Sequence, residues 1–219
     1  MEINRLIDHT YLKPTGTKAD IDRILEEAIE HRFKSVCVHP KWTEYVAESL
    51  KKSDVLACTV IGFPLGANTT ETKVFETRDA LKKGADEIDV VIDIGAAKDH
   101  TFDKIEKEVR ALKDVCGAQV LKVIIETCYL DEDEKEKVSE AAIAGGADFL
   151  KTSTGFGSDG ANAEDVRLMK RIAGDKEVKA SGGVRSYEDL KRMVDAGATR
   201  IGASSGVKIL QGEKSQEDY

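Results

Sequence analysis

Three times in this chain an amphipathic stretch ends in Gly-Ala plus one polar residue and gives way to an apolar run: Gly84-Ala85-Asp86, Gly146-Ala147-Asp148 and Gly197-Ala198-Thr199. Glycine suits the left-handed residue that ends a helix, and the small residue after it lets the chain turn tightly into a strand. A joint repeated in this way makes helices alternate with strands, the pattern of a parallel sheet covered by helices. The intervening segments agree. Ile21, Ile24, Leu25, Ala28 and Ile29 share one face of a helix over Asp20 to His31, with Thr17 at its start. Ser35-Val36-Cys37-Val38 reads as a strand, 40–52 as a helix, and 55–61 as a β-branched strand stopped by Gly62-Phe63-Pro64. Helices are expected over 69–83, 101–115, 131–144, 163–173 and 186–196, and strands over 87–92, 119–125, from Asp148, 177–180 and 200–203.

With a first strand around Ile7 to Leu12, the units number about eight, the count of a closed parallel barrel wrapped in helices. The 219 residues are expected to form one domain, a (β/α)8 TIM barrel over 1–219. A doubly wound open sheet is the alternative, but no G-x-G-x-x-G follows the first strand to support a dinucleotide crevice. Charge narrows the partners. Lys and Arg total 33 against 41 Asp and Glu, a net of −8, with no basic block for nucleic acid. No run is long enough to span a bilayer, and the first residues lack a cationic segment followed by an apolar one, so a cytoplasmic location is expected. Cys37, Cys58, Cys116 and Cys128 have no CxxC spacing and read as reduced thiols.

The chemistry of such a barrel gathers at the carboxyl ends of its strands. Asp89, Lys122, Lys151 and Lys179 fall inside otherwise apolar runs on four successive strands, and Glu126 follows the second of these. Buried together, these groups must form a charge-balanced network. Structural ion pairs would explain the aspartate and one lysine, but not two ammonium groups side by side. A second ammonium has a chemical use, because it depresses a lysine's pKa and yields the neutral amine that attacks carbonyls.

At this level of detail the sequence resembles the deoxyribose-phosphate aldolase family, class I enzymes, over nearly its whole length. The resemblance rests on Leu6-Ile7-Asp8-His9-Thr10, Asp86 to Val91, Lys122 to Thr127, Phe149 to Gly155, Lys179-Ala180-Ser181-Gly182-Gly183-Val184-Arg185 and Gly202-Ala203-Ser204-Ser205. It implies reversible cleavage of 2-deoxy-D-ribose 5-phosphate to D-glyceraldehyde 3-phosphate and acetaldehyde, in deoxyribose catabolism, with no metal or other cofactor. It also implies that Lys151 forms the Schiff base, Lys179 tunes it, and Asp89 is the acid/base group. Asp8, Thr10 and Cys37 match positions lining the family's pocket, and Lys122, Thr154 and Gly155 are expected to contact substrate. Phosphate is expected at Gly182-Gly183 and at Ser204-Ser205, which opens a last helix over 205–211. Phe156 stands where some members carry a lysine beside the phosphate, a departure for which Arg185 can compensate.

Two other classes compete with this reading. A metal-dependent aldolase needs clustered ligands, and His9, His31, His39 and His100 lack ligand spacing. A phosphosugar isomerase, or a barrel that only binds phosphosugars, would have no use for Lys151 and Lys179 together. A homo-oligomer, dimer or tetramer, is expected. The tail 212–219 is polar and expected to be mobile, and Tyr219, resembling the end of some members, is placed as a proton relay folded back over the site.

Overall fold

The computed structural model describes residues 2–215. In chain order it contains β1 (Ile7–Tyr11), α1 (Lys18–Glu30), β2 (Ser35–Val38), α2 (Thr43–Leu50), β3 (Leu56–Ile61), α3 (Thr70–Lys82), β4 (Glu87–Val91), α4 (Ile94–Lys98) and α5 (Phe102–Cys116). There follow β5 (Val120–Ile124), α6 (Glu132–Ala144), β6 (Phe149–Lys151), α7 (Ala163–Ala173), β7 (Glu177–Ser181), α8 (Tyr187–Asp195), β8 (Arg200–Ala203) and α9 (Gly206–Leu210). The strands close in sequence order, every neighbouring pair parallel, with β8 returning to β1. This is the eight-stranded barrel that the alternation predicts. Among the described residues no helix is long and apolar enough to cross a membrane.

Local chemistry sets the element ends. Thr17, Asp131 and Ser186 each cap a helix reciprocally, accepting the N–H of Asp20, Glu134 or Asp189, whose side chain in turn accepts the cap residue's N–H. The joints at Gly84, Gly146 and Gly197 have φ of +93°, +100° and +113°, where a side chain would be strained. Two elements depart from the sequence reading. Over 40–52 the chain first makes a 3-10 turn at Pro40–Trp42, with the Trp42 N–H on the His39 carbonyl at 2.9 Å, and α2 ends at Leu50. The unpredicted α4 is five residues capped by Asp93, too short to show a helical period.

Strand alternation divides the molecule into two interiors. Ile88 and Val90, Leu121 and Val123, Leu150, Val178 and Ala180, and Ile201 and Ala203 join the apolar layer between barrel and helices. Each Val, Leu or Ile among them contributes about 1.5–3 kcal/mol on full burial. The residues between them, Glu87 and Asp89, Lys122, Lys151, Lys179 and Arg200, are also buried but face one another across the lumen. Leu12, Cys37, Cys58 and Val60 form a small apolar cluster separate from the main core.

A second buried ion pair lies outside the barrel wall. Lys73 of α3 donates to Glu108 Oε1 of α5 at 2.7 Å and to the Val91 carbonyl at the end of β4 at 2.9 Å, and Thr70 donates to the other Glu108 oxygen at 3.0 Å. Lys73 is wholly buried although it sits in a helix that reads as amphipathic. The pair fastens two helices to the strand that carries Asp89.

Candidate active site

Register brings the lysines together. Lys151 of β6 is the direct partner of Lys179 on β7, and Asp89 of β4 is the partner of Lys122 on β5. Asp89 accepts on both oxygens: Oδ2 from Lys151 and Lys179, each at 2.7 Å, and Oδ1 from Lys122 at 2.8 Å and the Cys58 thiol at 3.3 Å. Lys179 also pairs with Asp8 Oδ2 at 2.6 Å. Below, Arg200 bridges Asp8 Oδ1 at 2.8 Å and Glu87 Oε2 at 2.7 Å, Ser35 donates to Asp8, and Lys122 reaches Glu87 at 2.6 Å. The network expected from the sequence is present, but its balancing anions are Asp8 and Glu87. Among the described residues Glu126 makes no ion pair in it, although the Lys151 charge is close enough to pull the Glu126 carboxyl down against burial.

Burial alone would raise the carboxyls of Asp89 and Asp8. Lys122, Lys151 and Lys179 around Asp89, and Arg200, Lys179 and Lys122 around Asp8, outweigh it and hold both well below the usual carboxylate range. Burial likewise pulls Lys179 and Lys122 down, and their carboxylate partners more than reverse this, so both stay charged. Lys122 has Glu87, Asp89 and, at 3.8 Å, Asp8 as partners, and its side chain is wholly buried. The structure shows it as an internal counter-ion to these carboxylates.

Above Lys151, the loop after β6 is held by Glu126. Its carboxylate accepts the Thr154 N–H at 3.1 Å and the Thr154 hydroxyl in a short hydrogen bond, and Thr154 Oγ1 accepts the Phe156 N–H at 3.0 Å. Burial raises the Glu126 carboxyl, and the Thr154 bonds offset part of that. Glu126 itself lies at φ +53°, an uncommon backbone for a residue with a side chain. The Phe156 ring meets Phe63 edge-on at 5.4 Å, linking the loop after β3 to the loop after β6 across the barrel mouth. Thr10 is buried and donates to the Asp8 carbonyl, and Cys37 is fully buried.

Gly155, Gly182 and Gly183 have φ of +89°, +80° and +75°, and with Gly157, Ser158 and Arg185 they line a cavity of about 330 Å³. A Cβ on Gly160 would lie 2.3 Å from the Gly182 carbonyl oxygen, so the two loops can approach only as glycine. Ser204 and Ser205 line a different cavity of about 260 Å³, with His9, Glu27, Lys208 and Gln211. The expected single cradle is thus two recesses. Helix α9 is only five residues, shorter than expected, and the Ser205 hydroxyl is not spent on capping it. A larger cavity of about 400 Å³ near Glu44, Lys51 and Lys83 lies away from all these groups.

The tail is anchored at least as far as Ser215, which is buried and donates its N–H to the Arg185 carbonyl at 2.9 Å. Residues 216–219, Tyr219 among them, lie outside the described residues. Sequence reasoning missed Glu87 and Arg200 as network members. Glu87 had a signal, since it lies two residues before Asp89 on the same strand face, whereas Arg200 as the first residue of a strand reads equally well as exposed.

Fold and site together define a (β/α)8 barrel whose lumen carries paired lysines on one carboxylate, and the comparisons with known proteins make it an aldolase barrel. The chain belongs to the DeoC/LacD family of aldolases, whose model matches residues 3–212. It is 56% identical over 220 residues to the deoxyribose-phosphate aldolase of Staphylococcus carnosus, covering the whole of both chains. Among solved structures, the aldolase QR15 superposes with a TM-score of 0.91 at 40% identity, over 95% of this chain and 94% of that one. The tetrameric deoxyribose phosphate aldolase of Aeropyrum pernix superposes with a TM-score of 0.88 at 33% identity, over 95% and 89%.

Proposed function

We propose that this chain reversibly cleaves 2-deoxy-D-ribose 5-phosphate to D-glyceraldehyde 3-phosphate and acetaldehyde through a Schiff base on Lys151. The observation that carries the reading is a charge count. Among the described residues, Lys122, Lys179 and Arg200 already face Asp8, Glu87 and Asp89, three cations to three anions, while Lys151 shares one Asp89 oxygen with Lys179, and the further carboxylate near it, Glu126, is engaged by Thr154. As a neutral amine Lys151 adds to the C1 aldehyde and loses water to give the iminium, which accepts the electrons of the breaking C2–C3 bond. Asp89, through a water, takes the C3 hydroxyl proton. Held well below its usual range by the lysines, it does not keep that proton but returns it to the enamine carbon. Hydrolysis then frees acetaldehyde and Lys151.

Lys179 remains charged beside Lys151, while Lys122 fixes the far oxygen of Asp89. Asp8 steers Lys179, and Thr10, Cys37 and Thr154 shape the walls near the reacting carbons. The phosphate fits the positive-φ turns at Gly155, Gly182 and Gly183, with Arg185 beside them and Ser204-Ser205 on the next strand end. Phe156 closes the mouth with Phe63. A cytoplasmic, homo-oligomeric enzyme of deoxyribose catabolism is the setting, and the tetrameric Aeropyrum relative supports the assembly. Tyr219 is kept as a proton relay, to be read from the proton exchange rate of a Tyr219→Phe variant.

Borohydride reduction with acetaldehyde tests the reading: the adduct should map to Lys151, activity should be lost with it, and prior treatment with a chelator should change neither. An adduct on another lysine, or activity that a chelator removes and zinc restores, would overturn it.

A further inference from the structure

Cys37 and Cys58 have no step in the reaction just described. They are register partners on β2 and β3, both fully buried, and with an Asp89 oxygen their sulfurs lie within 4.8 Å of one another. Adjacent strands stand about 4.8 Å apart, inside the Cα separation of about 4.4–6.8 Å that a disulfide spans. Both side chains project into the lumen cluster with Leu12 and Val60, packed against by Phe63 at the mouth.

Two thiols and a carboxylate make a donor set for a soft metal ion, but charge argues against one. Asp89 already accepts hydrogen bonds from Lys122, Lys151 and Lys179, and Lys122 Nζ lies 3.4 Å from the Cys58 sulfur. A divalent ion would enter against those fixed cations, whereas a disulfide adds no charge.

We propose that Cys37 and Cys58 form an oxidisable dithiol site, closed to a disulfide by a small hydroperoxide that enters through the barrel mouth. Cys37 is the attacking sulfur: the Cys58 thiol beside it holds the Cys37 thiol below its usual range, against burial, while burial pushes Cys58 well up. The Cys37 thiolate attacks one oxygen of hydrogen peroxide, the O–O bond breaks, and the departing hydroxide takes up the Cys37 proton as water. The Cys58 sulfur then attacks the sulfenic sulfur, and the displaced hydroxide leaves with the Cys58 proton as a second water. Two thiols give up two electrons and the peroxide is reduced to two waters. Closing the bond withdraws the Cys58 S–H from Asp89 Oδ1, which couples the site to the reaction. The other thiols lack such a partner: Cys116 is buried elsewhere with its thiol pushed up to about 11 by burial, and Cys128 faces Glu126.

The test treats the full chain with hydrogen peroxide, alkylates the remaining thiols in denaturant and reads intact and peptide masses. The expected result is loss of two hydrogens, a link between the Cys37 and Cys58 peptides, and cleavage activity reduced by about tenfold or more through displacement at Asp89. Dithiothreitol should reverse all three. In Cys58→Ala, lacking the resolving sulfur, Cys37 should instead go on to the sulfinic acid, which dithiothreitol does not reverse. Four alkylatable thiols after treatment, or oxygen added to Cys37 in the unsubstituted chain without a link, would overturn the proposal. Because the link is read by mass in the unsubstituted protein, its presence or absence depends neither on a variant's folding nor on the aldol reading.

Discussion

Lys73 and Lys151 are both buried lysines on a carboxylate, at 2.7 Å each, one outside the barrel wall and one within the lumen. Around Lys73 every group is spent one for one: Glu108 takes Lys73 on one oxygen and Thr70 on the other, and Lys73 also serves the Val91 carbonyl. Around Lys151 a single oxygen of Asp89 serves two ammonium groups, and the other carboxylate near Lys151, Glu126, is taken up by the N–H and hydroxyl of Thr154. Burial of a lysine is therefore no mark of chemistry. What distinguishes the lumen is a shared oxygen, so that one ammonium can lose its charge without leaving a partner stranded.

The largest effect separates these roles directly. Lys73→Met strands a buried Glu108 and should cost about 3–5 kcal/mol of stability, lowering Tm by roughly 10 °C or more. Borohydride trapping at Lys151 per folded molecule should be unchanged, and adding Glu108→Leu should recover most of the melting temperature. A variant that loses trapping while its Tm holds would erase the distinction. Next in size, Lys179→Leu removes the charge that competes with Lys151 for Asp89, and kcat at neutral pH should fall on the order of 10²–10³-fold. Unchanged turnover would mean that the paired lysines are as structural as Lys73. The smallest effect tests charge at the rim rather than in either interior. Ser205→Glu should raise KM for the phosphorylated sugar by about tenfold and leave KM for plain deoxyribose nearly unchanged. Equal effects on both sugars would remove Ser205 from the phosphate site.

The barrel was legible because its joints are local: Gly84, Gly146 and Gly197 declare themselves by residue type, and eight predicted strand positions meet eight observed strands. Asp89, Lys151 and Lys179 were legible for a related reason, since a charge within an apolar run stands out against period-two alternation. Their meeting on one carboxylate depends on register and closure, which no local pattern encodes. Lys73 stayed hidden because a lysine in an amphipathic helix looks solvent-facing, and only the packing of α3 on α5 buries it. The assignment of the balancing anions failed in the same way. Glu126 is near Lys151 in the chain's logic, but its left-handed backbone turns it to Thr154, and the work falls to Asp8 and Glu87 at the strands' other ends.

The ionic layer of Arg200, Asp8 and Glu87 also closes the lower end of the lumen, with Phe149 against the Arg200 guanidinium at 5.1 Å. The barrel is thus a vessel with one opening, and traffic through it is single file. On the proposed reaction the two-carbon fragment is bonded to Lys151 at depth with the phosphorylated aldehyde above it, so the aldehyde departs first in cleavage. In the synthetic direction acetaldehyde has to arrive first. On that reading an ordered sequence of binding and release follows from the bond that holds one product to Lys151, and the stopper, with Glu87 two residues before Asp89, leaves the other product only the mouth.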